Sequence, residues 1–323
     1  MIATRTGVTA CVSTVAEAPP WARRERPTWG LVEGDAIAPG RTILRRLGGG
    51  RLYEVFLVWD DRRLAVLVAK VLRPDQAGEA AARRALAREA DALARLGHPV
   101  LARGFDAALD GRFPHVLIEH LEGPTLTELI DAGGPVALEQ ALTLGLYVAS
   151  ALHYLAGEGM VHLDVKPSNV VMGAPPRLID LSVARTVEDA ARLRRPVGTG
   201  AYMAPEQCDP RPGAVGPPAD VFGLGATVYH AVAGRRPFPP AGDERFPQLT
   251  RDPDPLPRRV PPALARLLAA ALATRGVQAE DFTEIGRIIA AALQPGFDDV
   301  RADLAERVTA IAERYPLYAA ATV

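Results

Sequence analysis

Only two of the chain's 37 basic residues are lysine, and their positions constrain the fold more than any other feature. Lys166 sits in VHLDVKPSNVV (161–171), which also carries Asn169, the single asparagine in 323 residues. Lys70 closes the apolar run RLAVLVAK (63–70), behind the glycine-rich turn LGGG (47–50). A composition that uses arginine wherever a cation is merely solvated keeps lysine where a compact ammonium is needed rather than a guanidinium fork. The fold must therefore present one ammonium from a strand and the other from a loop.

The loop's chemistry is legible in its residue types. His162 and Asp164 alternate with Val161, Leu163 and Val165, which predicts a loop leaving a buried element with Asp164 projected outward. Asp164, Lys166 and Asn169 supply an acceptor for a hydroxyl proton, a point positive charge and an amide oxygen that can ligate a hard cation. Asp180, eleven residues beyond Asn169, ends the strand RLID and adds a carboxylate. Such a pair suits Mg²⁺, which takes one or two protein oxygens together with phosphates. At the other lysine, glycines let backbone amides approach a phosphate, and a strand-borne ammonium can reach its oxygens. Glu89, on the following helix, is the natural counter-ion for Lys70.

The two lysines lie in differently patterned halves. Residues 1–37 are rich in Pro, Arg and Ala without periodicity and read as a mobile arm. Residues 41–47, 53–60, 63–72, 100–109 and 113–122 read as strands, with a helix over 79–96 stopped by Gly97. Beyond residue 121 the pattern is helical, led by a long buried helix over 137–159, with a strand at 176–182 and Pro-rich loops after Pro205. The fold class is α+β: a small β-rich lobe (about 38–120) and a larger helical lobe (about 121–293), followed by a tail over 294–323. In the tail, Val300, Leu304, Val308, Ile311 and Tyr315 form one apolar helical stripe. It reads as an appendage packed on its own domain, with a partner-binding helix as the alternative.

Composition excludes several classes. Hydrophobic residues at 48% and charged residues at 23% fit a globular chain with a sizeable core. A formal net charge of −1 gives no electrostatic footprint for nucleic acid or anionic membrane. Cys11 and Cys208 show neither disulfide nor metal spacing, and the six histidines are scattered. The run LARLLAAALA (264–273) is too short to span a bilayer, so the expectation is a cytoplasmic protein without a membrane partner.

Taken in order, these segments resemble the bacterial serine/threonine protein kinases that are similar to eukaryotic ones, over about residues 38–293. LGGGRLYEV is similar to the glycine-rich loop, with Leu47, Gly48, Gly50 and Val55 in register. The resemblance implies that Ala69 and Lys70 of VAK, with Glu89 of READAL, hold ATP. It makes Ile118 the gatekeeper, Glu119 to Leu121 the adenine-binding hinge, and Val171 a floor residue. HLDVKPSN resembles the catalytic loop, with Asp164 and Lys166 acting on the hydroxyl and the γ-phosphate. Asn169 and Asp180 would then hold Mg²⁺ or Mn²⁺. GTGAYMAPE (198–206) resembles the substrate-docking segment, with Thr199 bonded to Asp164 and Lys166, and Glu206 as an anchor. The implied partner is an unidentified protein substrate.

Four departures qualify the resemblance. Tyr53 replaces the third loop glycine and should stiffen the loop. The metal-binding triplet reads Asp-Leu-Ser, so Ser182 lacks glycine's freedom. Leu163 stands where an arginine usually precedes the catalytic aspartate, which implies activity not gated by activation-loop phosphorylation. The arginine expected to pair with Glu206 has only Arg275 as a candidate. A kinase-like scaffold that binds ATP without turnover is one alternative. A small-molecule phosphotransferase is the other, although it would lack the YMAPE segment.

Overall fold

The computed structural model describes residues 26–211, 213–240 and 242–273. Its first lobe is built from alternating apolar residues in β1 (Ala36–Ala38), β2 (Arg41–Gly49), β3 (Tyr53–Asp60) and β4 (Ala65–Leu72). A short α1 (Pro74–Ala77) and the longer α2 (Ala80–Arg95) follow, then β5 (Gly104–Ala108) and β6 (His115–Glu119). The strands form one antiparallel sheet in the order β1-β2-β3-β4-β6-β5. Because strand side chains alternate between faces, β4 divides its residues cleanly. Leu67, Ala69 and Val71 join Ile43, Phe56 and Leu117 on one face, while Val68 and Leu72 join Tyr53, Leu86 and Ile118 on the other. Lys70 shares the second face.

The arm ends earlier than its composition suggests. Thr28 Oγ1 and the Trp29 amide donate to the Glu54 carboxylate at 2.6 and 2.9 Å. Trp29 Nε1 donates to Leu72 O at 2.7 Å, and its ring meets Phe113 edge-on at 5.0 Å. Glu54 is fully buried on β3, and a buried carboxylate needs donors; residues 28–29 supply them. Residues 1–25, with Cys11 and Trp21, lie outside the described residues.

The second lobe starts at α3 (Leu126–Gly133), whose N-terminus carries a Thr125–Glu128 capping box. Next comes α4 (Leu138–Gly157), buried along Ala141, Leu144, Val148, Ala151, Leu152 and Leu155. Short pairs β7 (Met160–Val161), β8 (Val170–Val171), β9 (Arg177–Leu178) and β10 (Arg185–Thr186) frame the loops, with α5 (Val187–Ala191) and α6 (Pro205–Cys208) beyond. Helix α7 (Pro217–Ala233) is buried almost all round between α4 and α8 (Pro262–Leu272). The strand expected over 176–182 shrinks to two residues because the backbone turns left-handed at Asp180, φ 74°. The helix over 79–96 ends when Leu96 turns extended, without a left-handed glycine cap at Gly97. No helix of the described residues is long and apolar enough to cross a membrane. The stripe at 297–315 lies outside the described residues.

Candidate active site

The loop after β7 is held from below. Asp220, in the first turn of α7, accepts from the His162 and Leu163 amides at 2.7 Å each, one per carboxylate oxygen. Leu163 adopts left-handed backbone (φ 65°), and its side chain, 2% exposed, packs in the C-lobe core. Sequence reasoning gave Asp220 no role. Asp220→Ala should cost about 1–3 kcal/mol for each amide left buried and unpaired. A lowered urea midpoint would show this, with a smaller drop for Asp220→Asn, which keeps one acceptor.

Asp164 does not project outward as the alternation predicts; it is only 8% exposed. Its polar neighbours draw it in. Thr199 Oγ1 donates to Asp164 Oδ1 at 2.7 Å, and Lys166 Nζ donates to Oδ2 at 2.6 Å. Lys166 Nζ also donates to Thr199 Oγ1 at 2.7 Å. Asn169 Nδ2 donates to the Asp164 carbonyl at 2.9 Å and to Oδ2 at 3.2 Å. The structure therefore unites Asp164, Lys166, Asn169 and Thr199. The Asn169 amide nitrogen is committed to the loop, which leaves its oxygen for a cation.

Two further residues press the segment around Thr199 onto this loop, and neither was singled out from sequence. Gln207 Nε2 donates to Leu163 O at 2.9 Å and Val197 O at 2.8 Å, while its Oε1 accepts from the Ala204 amide at 3.1 Å. Gly198 has φ 121°, and a Cβ there would lie 2.5 Å from Leu163 O, so only glycine allows the approach. Gln207 is uncharged and follows a recognised motif, so nothing in its spacing marks it. Glu206 lies in the first turn of α6. Arg275, its candidate partner, is outside the described residues.

Lys70 forms the second half of the site. Its Nζ donates to Glu89 Oε1 and, at 2.7 Å, to Asp180 Oδ1, and the side chain is nearly enclosed. Burial pulls the ammonium down, but Asp180 and Glu89 outweigh it and hold Lys70 above its ordinary value. Burial pushes Asp180 up, yet Lys70 prevails and keeps that carboxyl well below the usual range. The Ser182 amide donates to Asp180 Oδ1 at 3.3 Å. The left-handed turn of this triplet falls on Asp180, so Ser182 is not asked for glycine's freedom.

One expected contact is corrected. Ala69 is fully buried on the far face of the sheet, away from Lys70; the residue on the lysine's face is Val68. Period-two alternation places position 68, not 69, beside position 70. In the glycine turn, Gly49 carries the steric demand: with φ 150°, a Cβ would meet Tyr53 O at 2.5 Å. Gly48 shares the φ of 150° and so also favours glycine, although added Cβ atoms at Gly48 and Gly50 meet nothing within 4 Å.

The remaining expected residues lie on β2, β3, β6, β8 and the segment that follows β6. Leu47, at the end of β2, is 41% exposed, and Val55 pairs with Lys70 across the sheet. Ile118 is buried at the end of β6, next to Glu119. The Glu119 carboxylate is paired with Arg177 of β9 at 2.5 Å, a bridge between lobes that sequence reading missed. His120 and Leu121 follow, half-buried. On β8, Val170 faces the core, and its neighbour Val171 bridges to Thr125. The donor set fits Mg²⁺ with a nucleotide: the Asn169 amide oxygen and the Asp180 carboxylate are hard oxygens, and phosphates complete such a shell.

Replacing arginine by Leu163 does not empty the neighbourhood of cations. Arg88 of α2 and Arg185 of β10 line one cavity of about 350 Å³ with Asp91, Arg95 and Thr186. Burial, and then the charge of Arg88, depress Arg185.

Residues 41–273 match the family described as "Protein kinase domain". The chain is 36% identical over 205 residues to the probable serine/threonine-protein kinase PkwA of Thermomonospora curvata, covering 62% of this chain and 27% of that protein. It is 31% identical over 201 residues to serine/threonine-protein kinase PknB of Mycobacterium leprae, covering 59% of this chain and 32% of the relative. Against PknB of Mycolicibacterium smegmatis it is 30% identical over 244 residues, covering 70% and 38% respectively. The chain thus spans about a third of the length of the curated relatives it matches.

Proposed function

This chain belongs to the protein kinase family, and on that premise we propose that it transfers the γ-phosphate of ATP to serine or threonine hydroxyls of protein substrates. The observation that carries the reading is the closed cluster of Asp164, Lys166, Asn169 and Thr199, beside which the Ile179 amide donates to Asn169 O at 2.9 Å while its chain neighbour Asp180 accepts from Lys70 of the Lys70–Glu89 pair. Asp164 accepts and orients the substrate hydroxyl. Lys166 donates to the oxygens of the transferring phosphoryl group, and Lys70 donates to the phosphates that remain. Asn169 and Asp180 would hold Mg²⁺, which would supply charge neutralisation at the phosphates. Positioning and electrostatics supply nearly all of the catalysis in such a transfer. Incubating the purified chain with MgATP and a generic basic protein tests this; no incorporation into either protein would contradict it.

A scaffold that binds ATP without turnover is favoured by one feature only, the tyrosine at position 53. Its signature is an ATP-induced thermal shift without phosphotransfer. A small-molecule phosphotransferase is disfavoured because residues 198–207 are docked on the catalytic loop, where a protein-substrate segment belongs.

We further propose that activity does not await a phosphate on the activation segment. Three of its four hydroxyl residues between Asp180 and Glu206 already have structural work. Thr199 bonds Asp164, Tyr202 shares a 2.7 Å hydrogen bond with His230, and Thr186 caps α5 by accepting from the Asp189 amide. Thr186→Ala is expected to keep activity within about twofold while costing roughly 0.5–2 kcal/mol as a lost N-cap. A folded Thr186→Ala protein without activity would contradict this and direct attention to the Arg88–Arg185 cavity as a phosphate receptor.

A further inference from the structure

Tyr53 opens β3 and faces Leu72 across the sheet, on the side that carries Lys70 and Val55. It does not lie in the open cleft: it is 6% exposed and packs with Leu72, Leu86 and Ile118. Its ring lies over the Lys70 ammonium, 4.8 Å from Nζ to the centroid. An ammonium has three N–H donors. Glu89 and Asp180 accept from this one, and the aromatic face is its third neighbour. The Tyr53 hydroxyl and Glu89 Oε2 are both buried and make no hydrogen bond among the described residues. Burial, and then the charge on Glu89, push the phenol above its ordinary value.

We propose that Tyr53 is a positioning residue, an aromatic clamp that holds the Lys70 ammonium against Glu89 and so fixes the ion pair from the β2–β3 hairpin. A desolvated cation gains most from an aromatic face, and enclosure by α2 and the sheet supplies that condition. Glycine at this position would leave the Lys70 ammonium to Glu89 and Asp180, with no aromatic face over it. The clamp deepens the reading of Lys70 as a phosphate-binding residue, but its test does not use turnover.

The chain's two lysines make the test clean, because each serves as a control for the other. The full-length protein is acetylated with a limiting N-hydroxysuccinimide ester, and modification at Lys70 and Lys166 is followed by peptide mass spectrometry. Tyr53→Gly should raise the Lys70 rate roughly tenfold, the scale of a lost buried cation–aromatic contact, with Lys166 unchanged. Tyr53→Phe should restore slow acetylation, whereas Tyr53→Leu, which fills space without a π face, should not. An unchanged Lys70 rate in Tyr53→Gly overturns the clamp, as does a parallel rise at both lysines or protection by Leu equal to that by Phe. MgATP should slow Lys70 acetylation in the unaltered chain; failure of that arm alone counts against the nucleotide reading and leaves the clamp standing.

Discussion

Asp164→Asn is expected to lower phosphotransfer by about 10²–10⁴-fold, the usual contribution of a positioned general base, while the thermal shift induced by MgATP persists. The substitution preserves shape but removes the charge and one of two acceptor atoms. In the folded chain both oxygens are engaged: Oδ1 accepts from Thr199, and Oδ2 accepts from Lys166 and Asn169. An asparagine must turn its NH₂ toward one of these donors. A stability loss of about 1–3 kcal/mol should therefore accompany the loss of rate, the scale of one buried group left unsatisfied. Phosphate incorporation per minute and the urea midpoint, measured on the same preparation, separate the two effects. An Asp164→Asn protein as active as the unaltered chain would mean that any phosphate transfer comes from elsewhere.

The second large effect is expected at Lys70. Lys70→Met leaves Glu89 and Asp180 facing each other without a cation between them, and Glu89 is almost fully buried. Breaking a buried pair from one side typically costs about 3–5 kcal/mol, so a marked fall in the urea midpoint should accompany loss of the MgATP-induced shift. Combining Lys70→Met with Glu89→Leu removes the stranded charge and should recover much of the stability without recovering activity. Lys70→Arg should not rescue function, because a planar fork cannot meet two carboxylates and an aromatic face in the space of a compact ammonium. Recovery of the thermal shift by Lys70→Arg would contradict the roles assigned to both lysines.

The sequence was most informative where chemistry requires a rare residue. Lysine at 70 and 166 and the lone asparagine at 169 stood out against an arginine-rich background; the fold ties Lys166 and Asn169 to Asp164, and Lys70 to Glu89 and Asp180. Strand periodicity placed the first-lobe strands well, whereas the family resemblance set Ala69 beside Lys70 against the alternation of the strand. Val68, not Ala69, shares the lysine's face. Alternation failed in its turn at Asp164, where hydrogen bonding and a left-handed Leu163 decided orientation.

Gln207, Asp220 and Arg177 were missed because their value lies in carbonyls, amides and carboxylates far away in sequence: 163 and 197 for the first, 162 and 163 for the second, 119 for the third. Spacing along the chain cannot report such contacts. Ser182 shows the reverse case. It looked like a defect in its triplet, yet the backbone places the positive φ at Asp180 and asks nothing unusual of position 182.

The central claim is that this cluster transfers phosphate to protein hydroxyls. The most direct measurement incubates the unaltered chain with Mg²⁺ and γ-labelled ATP, then identifies the labelled amino acids after acid hydrolysis. Label recovered as phosphoserine or phosphothreonine, and absent with Asp164→Asn, is the predicted result. An ATP-induced thermal shift with no label on any hydroxyl amino acid would contradict it.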